Sequence, residues 1–226
     1  KSIFQSTLHN VTVIDPTINN SRERQYTFDG VFSPSSSTYD VFNISIKPML
    51  ENVINGYNAT TLAYGVTGTG KTFTIFGDIT DNATFTEKGI ITYTCEYLFD
   101  KLTNKNFVIK VSYLEIYNET VIDLLNPNKT SLMIIEDNIK GIIVPELSQF
   151  EVKESNDLVQ IITKGNSRRT MAPTNQNMFS SRSHALLQIT LHENNEEAIY
   201  SKLLIVDLAG SERGGIEKGI RREEGA

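Results

Sequence analysis

The sequence predicts an α/β domain in which a mixed central sheet is flanked by helices. The chain has 226 residues, which is enough to bury one sizeable hydrophobic core. Short apolar runs typical of buried strands alternate along it with segments whose apolar residues recur every three or four positions, as in helices. Interleaved strands and helices of this kind are typical of layered α/β domains. We therefore expect one domain of this class.

The composition excludes several other classes of protein. Hydrophobic residues make up 39% of the chain and charged residues 21%, which is typical of a globular protein and not of a disordered one. The formal net charge of −6 argues against a dedicated nucleic-acid-binding protein, although it permits a local basic patch. The single cysteine, Cys95, excludes an internal disulfide. No apolar run approaches the ~20 residues of a membrane helix, and no export signal is visible, so we expect a cytoplasmic protein without a membrane partner.

The first elements begin with a short strand pattern over residues 24–28. The serine-rich segment 33–37 then offers hydroxyls that can cap a helix. From Thr38 onward, apolar residues recur at helical spacing as far as Val53, and Gly56 supplies a stop signal. These residues predict a half-buried helix.

The rest of the chain continues the alternation. The predicted elements are a strand over 60–64, a helix from Lys71, a helix from Ile91 to Leu102, a strand over 107–113, a hairpin around 138–141, a helix around Leu158 to Ile162, and strands over 186–191 and 202–206.

The glycine-rich segment after the strand over 60–64 satisfies the phosphate-loop pattern in full. Glycines let a loop curl so that successive N–H groups point at phosphate oxygens, a lysine supplies a mobile cation for the β and γ phosphates, and a threonine offers a hydroxyl to Mg²⁺. The position between a strand and a helix is the context that this motif requires. The predicted phosphate-binding residues are Gly65, Val66, Thr67, Gly68, Thr69, Gly70, Lys71 and Thr72.

A second candidate element follows the apolar run 203–206. Asp207 stands at the end of this predicted strand, where a carboxylate can hold a water of a Mg²⁺ shell. Taken alone, such an aspartate is more often a turn or helix-capping residue. Gly210, three residues further on, adds a backbone N–H that can contact a γ phosphate. The two residues together favour a nucleotide site.

A third candidate element is the polar loop 177–184, which reads Asn-Met-Phe-Ser-Ser-Arg-Ser-His and precedes a predicted strand. An ordinary solvated turn is the alternative interpretation. The loop concentrates hydroxyls, an amide and a guanidinium, which are groups that stabilise charge on a transferring phosphoryl group. We therefore interpret it as a candidate switch.

These three elements, in this order, resemble those of the kinesin motor domain. The similarity is carried by the strand and phosphate loop 57–74, the central strand 112–119, the first switch 177–184 and the second switch 207–212. It implies a P-loop NTPase fold with three layers, and it runs along essentially the whole chain, 1–226. No Arg-x-Arg-Pro sequence, which borders the adenine in the family's first strand, occurs in residues 1–226. We expect the relay helix and the later elements of the family to lie outside these residues. We therefore expect a single, partial motor domain.

The resemblance implies roles around the phosphates and the metal. Lys71 would hold the phosphates, and Gly210 would contact the γ phosphate through its backbone. Thr72 and Ser181 would bind Mg²⁺, while Asp207 would act on the water shell of the metal.

The resemblance also implies roles in hydrolysis and base recognition. Asn177 and Ser180 would position the attacking water. Arg182 and Glu212 would form an ion pair that closes the site when ATP is bound, and Glu212 would accept the proton of the water, directly or through another water. Phe73 would pack against the adenine, although a core position on the inner face of its helix is an equally good interpretation.

One further residue and one further segment have a structural interpretation that needs no role in nucleotide or microtubule binding. His184, the last residue of the first switch, is expected to be structural. Residues 213–224 mix basic and acidic side chains, which is typical of a solvated loop. The resemblance suggests instead the loop that links the nucleotide state to the acidic surface of the microtubule.

As a whole, the resemblance implies an ATP hydrolase and the core of a microtubule motor, with ATP and Mg²⁺ as cofactors and tubulin and ADP as further partners. It implies a place in the cytoplasm and cytoskeleton, with the mitotic spindle as one option, and a full-length parent that dimerises through a coiled coil outside this chain. The alternative is a kinesin-like module that binds nucleotide or tubulin without hydrolysis, and the activity of residues 1–226 alone is left open. A GTP-binding switch protein is disfavoured because the sequence has no Asn-Lys-x-Asp motif.

Overall fold

The computed structural model describes residues 4–15, 22–79, 85–103, 105–129, 131–138, 141–170, 182–193 and 198–212. The strands in these ranges are β1 Phe4–Ser6, β2 Asn10–Asp15, β3 Arg22–Thr27, β4 Ala59–Ala63, β5 Gly77–Ile79, β6 Phe85–Lys88, β7 Phe107–Tyr117, β8 Thr120–Asp123, β9 Ile135–Asp137, β10 Gly141–Ile143, β11 Phe150–Val152, β12 His184–Glu193 and β13 Ser201–Asp207. The helices are α1 Thr38–Val41, α2 Lys47–Ile54, α3 Lys71–Phe76, α4 Ile90–Leu102 and α5 Ser155–Thr170, with a π-helical turn, Phe42–Ile46, between α1 and α2.

A six-stranded sheet forms the centre of the fold. Its strands lie in the order β11-β7-β12-β13-β4, and β8 pairs with β7 beside β11. The β4 and β13 pair is parallel, whereas the other pairs are antiparallel. The predicted mixed sheet is therefore confirmed, and its parallel pair brings together the carboxyl ends of two strands that are far apart in the sequence.

The helix predicted from Thr38 begins at a well-formed cap. The Asp40 N–H donates to the Ser37 hydroxyl at 3.2 Å, and the Asp40 carboxylate accepts from the Ser37 N–H at 2.8 Å, so two amides at the start of the helix are satisfied reciprocally. The chain then continues through the π-helical turn into α2. Gly56, with φ of +94°, follows the end of α2 in the left-handed region that favours glycine.

The main hydrophobic core lies between the helices and one face of the central sheet. Fully buried side chains of the sheet meet those of α2, α4 and α5; they include Leu50, Leu98, Tyr113, Leu158, Ile162, Leu187, Leu191 and Leu203. The predicted arrangement of a sheet flanked by helices is thus confirmed. A smaller cluster, formed by Leu114, Val121 and Leu132, lies apart from this core. None of the described helices is long and apolar enough to cross a membrane.

Three small antiparallel sheets complete the described structure. Strands β1, β2 and β3 form one, β5 and β6 form the second, and β9 and β10 form the third. The hairpin predicted around 138–141 is confirmed by the pairing of β9 with β10, although residues 139 and 140 lie outside the described part. Strands β1, β2, β5, β6, β8 and β11 were not predicted, because they are short and most of them do not carry the apolar face by which a strand is recognised in a sequence.

Helix α5 approaches β7 closely at a glycine. A Cβ atom on Gly165 would lie 2.3 Å from Cδ1 of Tyr113, so only glycine fits there without displacing the ring. Tyr113 is fully buried, and its hydroxyl donates to Oδ1 of Asn166 at 2.7 Å. The contact therefore sets the distance between α5 and the central sheet.

We predict that Gly165→Ala destabilises the protein by about 1–2 kcal/mol, because the overpacking cost exceeds the gain in helix propensity. Ser167→Ala, on the exposed side of the same helix, is the matched control and is expected to change the free energy of unfolding by less than about 0.5 kcal/mol. Urea denaturation of the full chain measures both. Equal stability of the Gly165 variant and the wild type would contradict the close approach of α5 to β7.

Candidate nucleotide site

The candidate site lies at one end of the parallel strand pair. Ala63, the last residue of β4, is the register partner of Asp207, the last residue of β13. The phosphate loop 65–72 follows β4, and the second switch 207–212 follows β13, so both leave the same end of the sheet. The carboxyl ends of parallel strands are where ligands bind in α/β proteins.

The phosphate loop includes backbone positions that require glycine. Gly68 and Gly70 have φ values of +82° and +88°, in the left-handed region that other residues rarely adopt. Thr69 closes the loop by donating its hydroxyl to the Val66 carbonyl at 2.8 Å. The Lys71 ammonium bends back over the loop and donates to the carbonyls of Gly65 and Val66 at 2.9 and 3.0 Å. The loop predicted to hold phosphate thus carries its cation directly above its own backbone.

The second switch is in contact with the phosphate loop. The Ser211 N–H donates to the Gly65 carbonyl at 3.0 Å. The Glu212 carboxylate accepts from the Thr67 N–H at 2.9 Å and from the Thr67 hydroxyl. The hydrogen bonds from Thr67 lower the pKa of Glu212 below its usual value, which keeps this carboxyl ionised at neutral pH. The structure therefore brings the predicted proton acceptor to the predicted phosphate-binding loop.

Asp207 has one oxygen engaged and one without a partner. Its Oδ2 accepts from the Thr72 hydroxyl at 2.7 Å and from a guanidinium nitrogen of Arg169 at 2.8 Å. Its Oδ1 is buried and has no hydrogen-bond partner among the described residues. A buried acceptor of this kind is normally satisfied by a partner, and a water of a hydrated Mg²⁺ ion would supply one. Thr72 and Asp207 therefore fit the metal that the sequence predicts, since Mg²⁺ prefers oxygen ligands and retains several waters.

Arg169, which the sequence analysis missed, connects this site to the core. It is buried, and its guanidinium pairs with Asp207 at 2.8 Å and with Glu115 at 3.4 Å. It also donates to the Ser183 carbonyl at 3.2 Å, while the Ser183 hydroxyl donates to Glu115 at 2.5 Å. Burial raises the pKa of Glu115, and the hydrogen bond from Ser183 and the charge of Arg169 oppose this rise. The network joins α5, β7, the residue before β12 and the end of β13.

The first switch is described only in part. Asn177, Ser180 and Ser181 lie outside the described residues, so their predicted roles stay predictions. Arg182 lies half-buried two residues before β12. Its predicted ion pair with Glu212 also stays a prediction, since the structure places the Glu212 carboxylate on Thr67. The basic and acidic segment 213–224 likewise lies outside the described part.

Two residues with open interpretations can be placed. Phe73 is 46% exposed, so the interpretation that it is a core aromatic is wrong, and its ring is accessible to a ligand. His184 accepts a hydrogen bond from the Ala209 N–H at its Nδ1, at 3.1 Å, and so links the end of the first switch to the second.

We predict that Arg169→Ala lowers the free energy of unfolding by about 3–5 kcal/mol, because it leaves the buried carboxylates of Asp207 and Glu115 without their cation. Arg168→Ala is the matched control. Arg168 is only partly buried and donates to the Leu124 carbonyl at 2.8 Å, so its loss is expected to cost about 1–2 kcal/mol. Chemical denaturation of both variants measures the difference, and equal small losses would contradict the buried network.

The chain is similar to known proteins along most of its length. The sequence model of the family described as Kinesin motor domain matches residues 2–226. The chain is 42% identical over 221 residues to Kinesin-like protein 5 of Schizosaccharomyces pombe, covering 91% of this chain and 24% of that protein. It is 43% identical over 198 residues to the kinesin heavy chain of Syncephalastrum racemosum, covering 84% of this chain and 21% of that protein. It is 40% identical over 221 residues to Kinesin-like protein KIF11 of Mus musculus, covering 88% of this chain and 21% of that protein.

The chain thus spans about a quarter or less of the length of these three relatives. Within that span, the match to the family runs through the phosphate loop, the central strand β7 and both switches. The fold is the P-loop NTPase fold, and the chain belongs to the kinesin motor domain family.

Proposed function

We propose that this chain is the nucleotide-binding and hydrolysing core of a microtubule motor, which binds Mg²⁺ and ATP and couples movement of its switch loops to microtubule binding. The observation that carries the proposal is the meeting of the second switch with the phosphate loop, with Glu212 on Thr67 and Asp207 on Thr72. This arrangement supplies a cradle for phosphate, a carboxylate for the metal shell and a proton acceptor within one small site. Membership of the kinesin motor domain family supports the same reading.

Binding of ATP would exchange hydrogen bonds within the loop for bonds to phosphate. The Lys71 ammonium would leave the carbonyls of Gly65 and Val66 for phosphate oxygens, which are stronger acceptors because they are charged. The Gly210 N–H would bind the γ phosphate, and the exposed ring of Phe73 would pack against the adenine. Bound Mg²⁺, held by Thr72 and Ser181 with Asp207 on its water shell, would neutralise charge on the β and γ phosphates.

Hydrolysis would require the Glu212 carboxylate to leave Thr67 and accept a proton from water. The hydrogen bonds from Thr67 hold the pKa of Glu212 below its usual value, so leaving Thr67 would make the carboxylate a stronger base. Asn177 and Ser180 would position the water, and Arg182 would pair with Glu212 to close the site. The same carboxylate would therefore serve as the movable contact between the phosphate loop and the two switches.

The wider setting follows from the same proposal. Tubulin and ADP are the further partners, and residues 213–224 are the segment that would sense the microtubule. The full-length protein would act in the cytoplasm and on the cytoskeleton, with the mitotic spindle as one option, as a dimer joined by a coiled coil outside this chain.

Steady-state ATP turnover of the full chain, with and without microtubules, tests the proposed hydrolysis and its coupling to microtubule binding. Nucleotide binding without turnover would instead favour a non-hydrolysing kinesin-like module.

We predict that Lys71→Ala abolishes detectable ATP binding, because it removes the cation of the phosphate loop and with it charge-assisted bonds to phosphate. Titration with a fluorescent ATP analogue measures the affinity. Lys153→Ala is the control, since that lysine is largely exposed and distant in sequence from the site. An affinity of the Lys71 variant within about twofold of the wild type, which is roughly 0.4 kcal/mol, would refute the phosphate-loop assignment.

We predict that Glu212→Ala keeps ATP binding and slows hydrolysis by about a hundredfold or more, as expected for loss of a positioned proton acceptor. Glu212→Gln, which keeps the shape of the side chain but not its basicity, should share the defect. Arg182→Ala should also share it, and the double variant should be little slower than either single variant because the pair acts as one unit. Single-turnover phosphate release measures the step, and release at the wild-type rate from the Glu212 variants would exclude this role.

A further inference from the structure

His184 stands where the two switches meet. It is the first residue of β12 and the register partner of Ile116 in β7. The next residue, Ala185, pairs with Asp207 at the end of β13. The imidazole of His184 is therefore beside the first residues of the second switch, and its Nδ1 accepts the Ala209 N–H at 3.1 Å.

The backbone of the second switch is anchored on both sides of Gly210. The N–H groups of the two residues before it and of the residue after it donate, in order, to the Ala63 carbonyl at 3.3 Å, to Nδ1 of His184 at 3.1 Å and to the Gly65 carbonyl at 3.0 Å. Within the described part of the chain, no residue accepts a hydrogen bond from the Gly210 N–H. The donor that the proposed function assigns to the γ phosphate is therefore flanked by three anchored neighbours.

We propose that His184 is a positioning residue for ATP recognition, because its Nδ1 holds the Ala209 amide and thereby holds the adjacent Gly210 N–H in place for a γ phosphate. The inference rests on the proposed function and adds a residue to it. Only a nucleoside triphosphate carries the phosphate that Gly210 contacts. His184 therefore acts on the discrimination between ATP and ADP and not on nucleotide binding in general.

The state of the imidazole suits this role. An imidazole accepts at Nδ1 only when it is neutral and carries its proton on Nε2. Partial burial and the charge of Arg169 on α5 lower the pKa of His184, while Asp207 on β13 opposes this effect. The neutral ring therefore predominates at neutral pH, with a lone pair available to the Ala209 N–H.

The local packing explains why a small displacement at Ala209 would matter. A Cβ atom on Gly210 would lie 2.4 Å from the Thr67 hydroxyl and 2.3 Å from a Glu212 carboxylate oxygen. The backbone at Gly210 thus lies directly against these two groups. The anchored Ala209 N–H belongs to the peptide that joins Leu208 to Ala209. Loss of the His184 anchor would free this peptide and so loosen the next one, which carries the Gly210 N–H, and reordering them on binding costs free energy.

The test compares two substitutions of His184 in the full chain. His184→Asn keeps an acceptor, because the Asn Oδ1 stands near the position of the imidazole Nδ1, whereas His184→Leu removes the acceptor and keeps a side chain of similar size. The affinities for a fluorescent, non-hydrolysable ATP analogue and for fluorescent ADP are measured at neutral pH, with thermal unfolding as the check of folding. We expect the Leu variant to bind the ATP analogue about five- to tenfold more weakly and ADP within about twofold of the wild type, as for loss of one hydrogen bond that orders a γ-phosphate donor. The Asn variant should restore most of the preference for the ATP analogue.

The outcomes separate this inference from the proposed function. If the Leu substitution lowers the affinities for the ATP analogue and for ADP equally, or lowers neither, the role of His184 is overturned. Nucleotide binding by the wild type is unaffected by that outcome. A wild-type protein that binds neither nucleotide overturns the proposed function and this inference with it. If the Leu variant does not fold, His184→Gln takes its place, because the longer side chain moves the acceptor further from the main chain. An equal preference for the ATP analogue over ADP in the Gln and Asn variants overturns the inference.

Discussion

The parallel pairing of β4 with β13 is the constraint on which the candidate site depends. It places Ala63 opposite Asp207, so that two loops separated by more than a hundred residues in the sequence leave the sheet side by side. Once they are adjacent, backbone hydrogen bonds can form between the two segments, including those from the Leu208 N–H to the Ala63 carbonyl and from the Ser211 N–H to the Gly65 carbonyl. The phosphate loop and the second switch are therefore neighbours because of sheet topology, and their side chains refine a contact that the backbone has already made.

Several polar groups of the site already have hydrogen-bond partners within the chain. Lys71 donates to loop carbonyls, Glu212 accepts from Thr67, and the Thr72 hydroxyl donates to Asp207. A group that leaves one partner for another gives up only the difference between the two interactions, whereas an unpaired buried group bears the full desolvation cost. Under the proposed function, Lys71 would exchange neutral carbonyls for charged phosphate oxygens, which are the stronger acceptors. Under the proposed function, Lys71 and Glu212 would each exchange one partner for another when ATP binds and reacts.

The local parts of this architecture were predictable from the sequence, and the parts that depend on tertiary contacts were not. The phosphate loop and the strand ending at Asp207 are each encoded within a few residues, and both were recognised. Phe73 remained ambiguous because one aromatic in a short helix fits a core or a surface position equally well. Arg169 gave no signal, since it follows another arginine at the end of a polar helix, where exposed basic residues are common. Its partner offered a better clue, because Glu115 interrupts the apolar run of a buried strand, and a charge in such a place requires a partner.

The packing of α5 on β7 explains how Arg169 reaches its two carboxylates. Gly165 and Arg169 are four residues apart and lie on one face of the helix, and Tyr113 and Glu115 are two residues apart on one face of the strand. The rise along the helix is about 6 Å over four residues, and the rise along the strand is about 6.6 Å over two. Because these spacings are similar, Arg169 comes opposite Glu115 when Gly165 lies opposite Tyr113. Contact of Gly165 with the Tyr113 ring therefore places Arg169 over Glu115, within reach of Asp207 on the far side. Arg169, which pairs with Asp207, is in this way positioned by an apolar contact one helical turn away in the core.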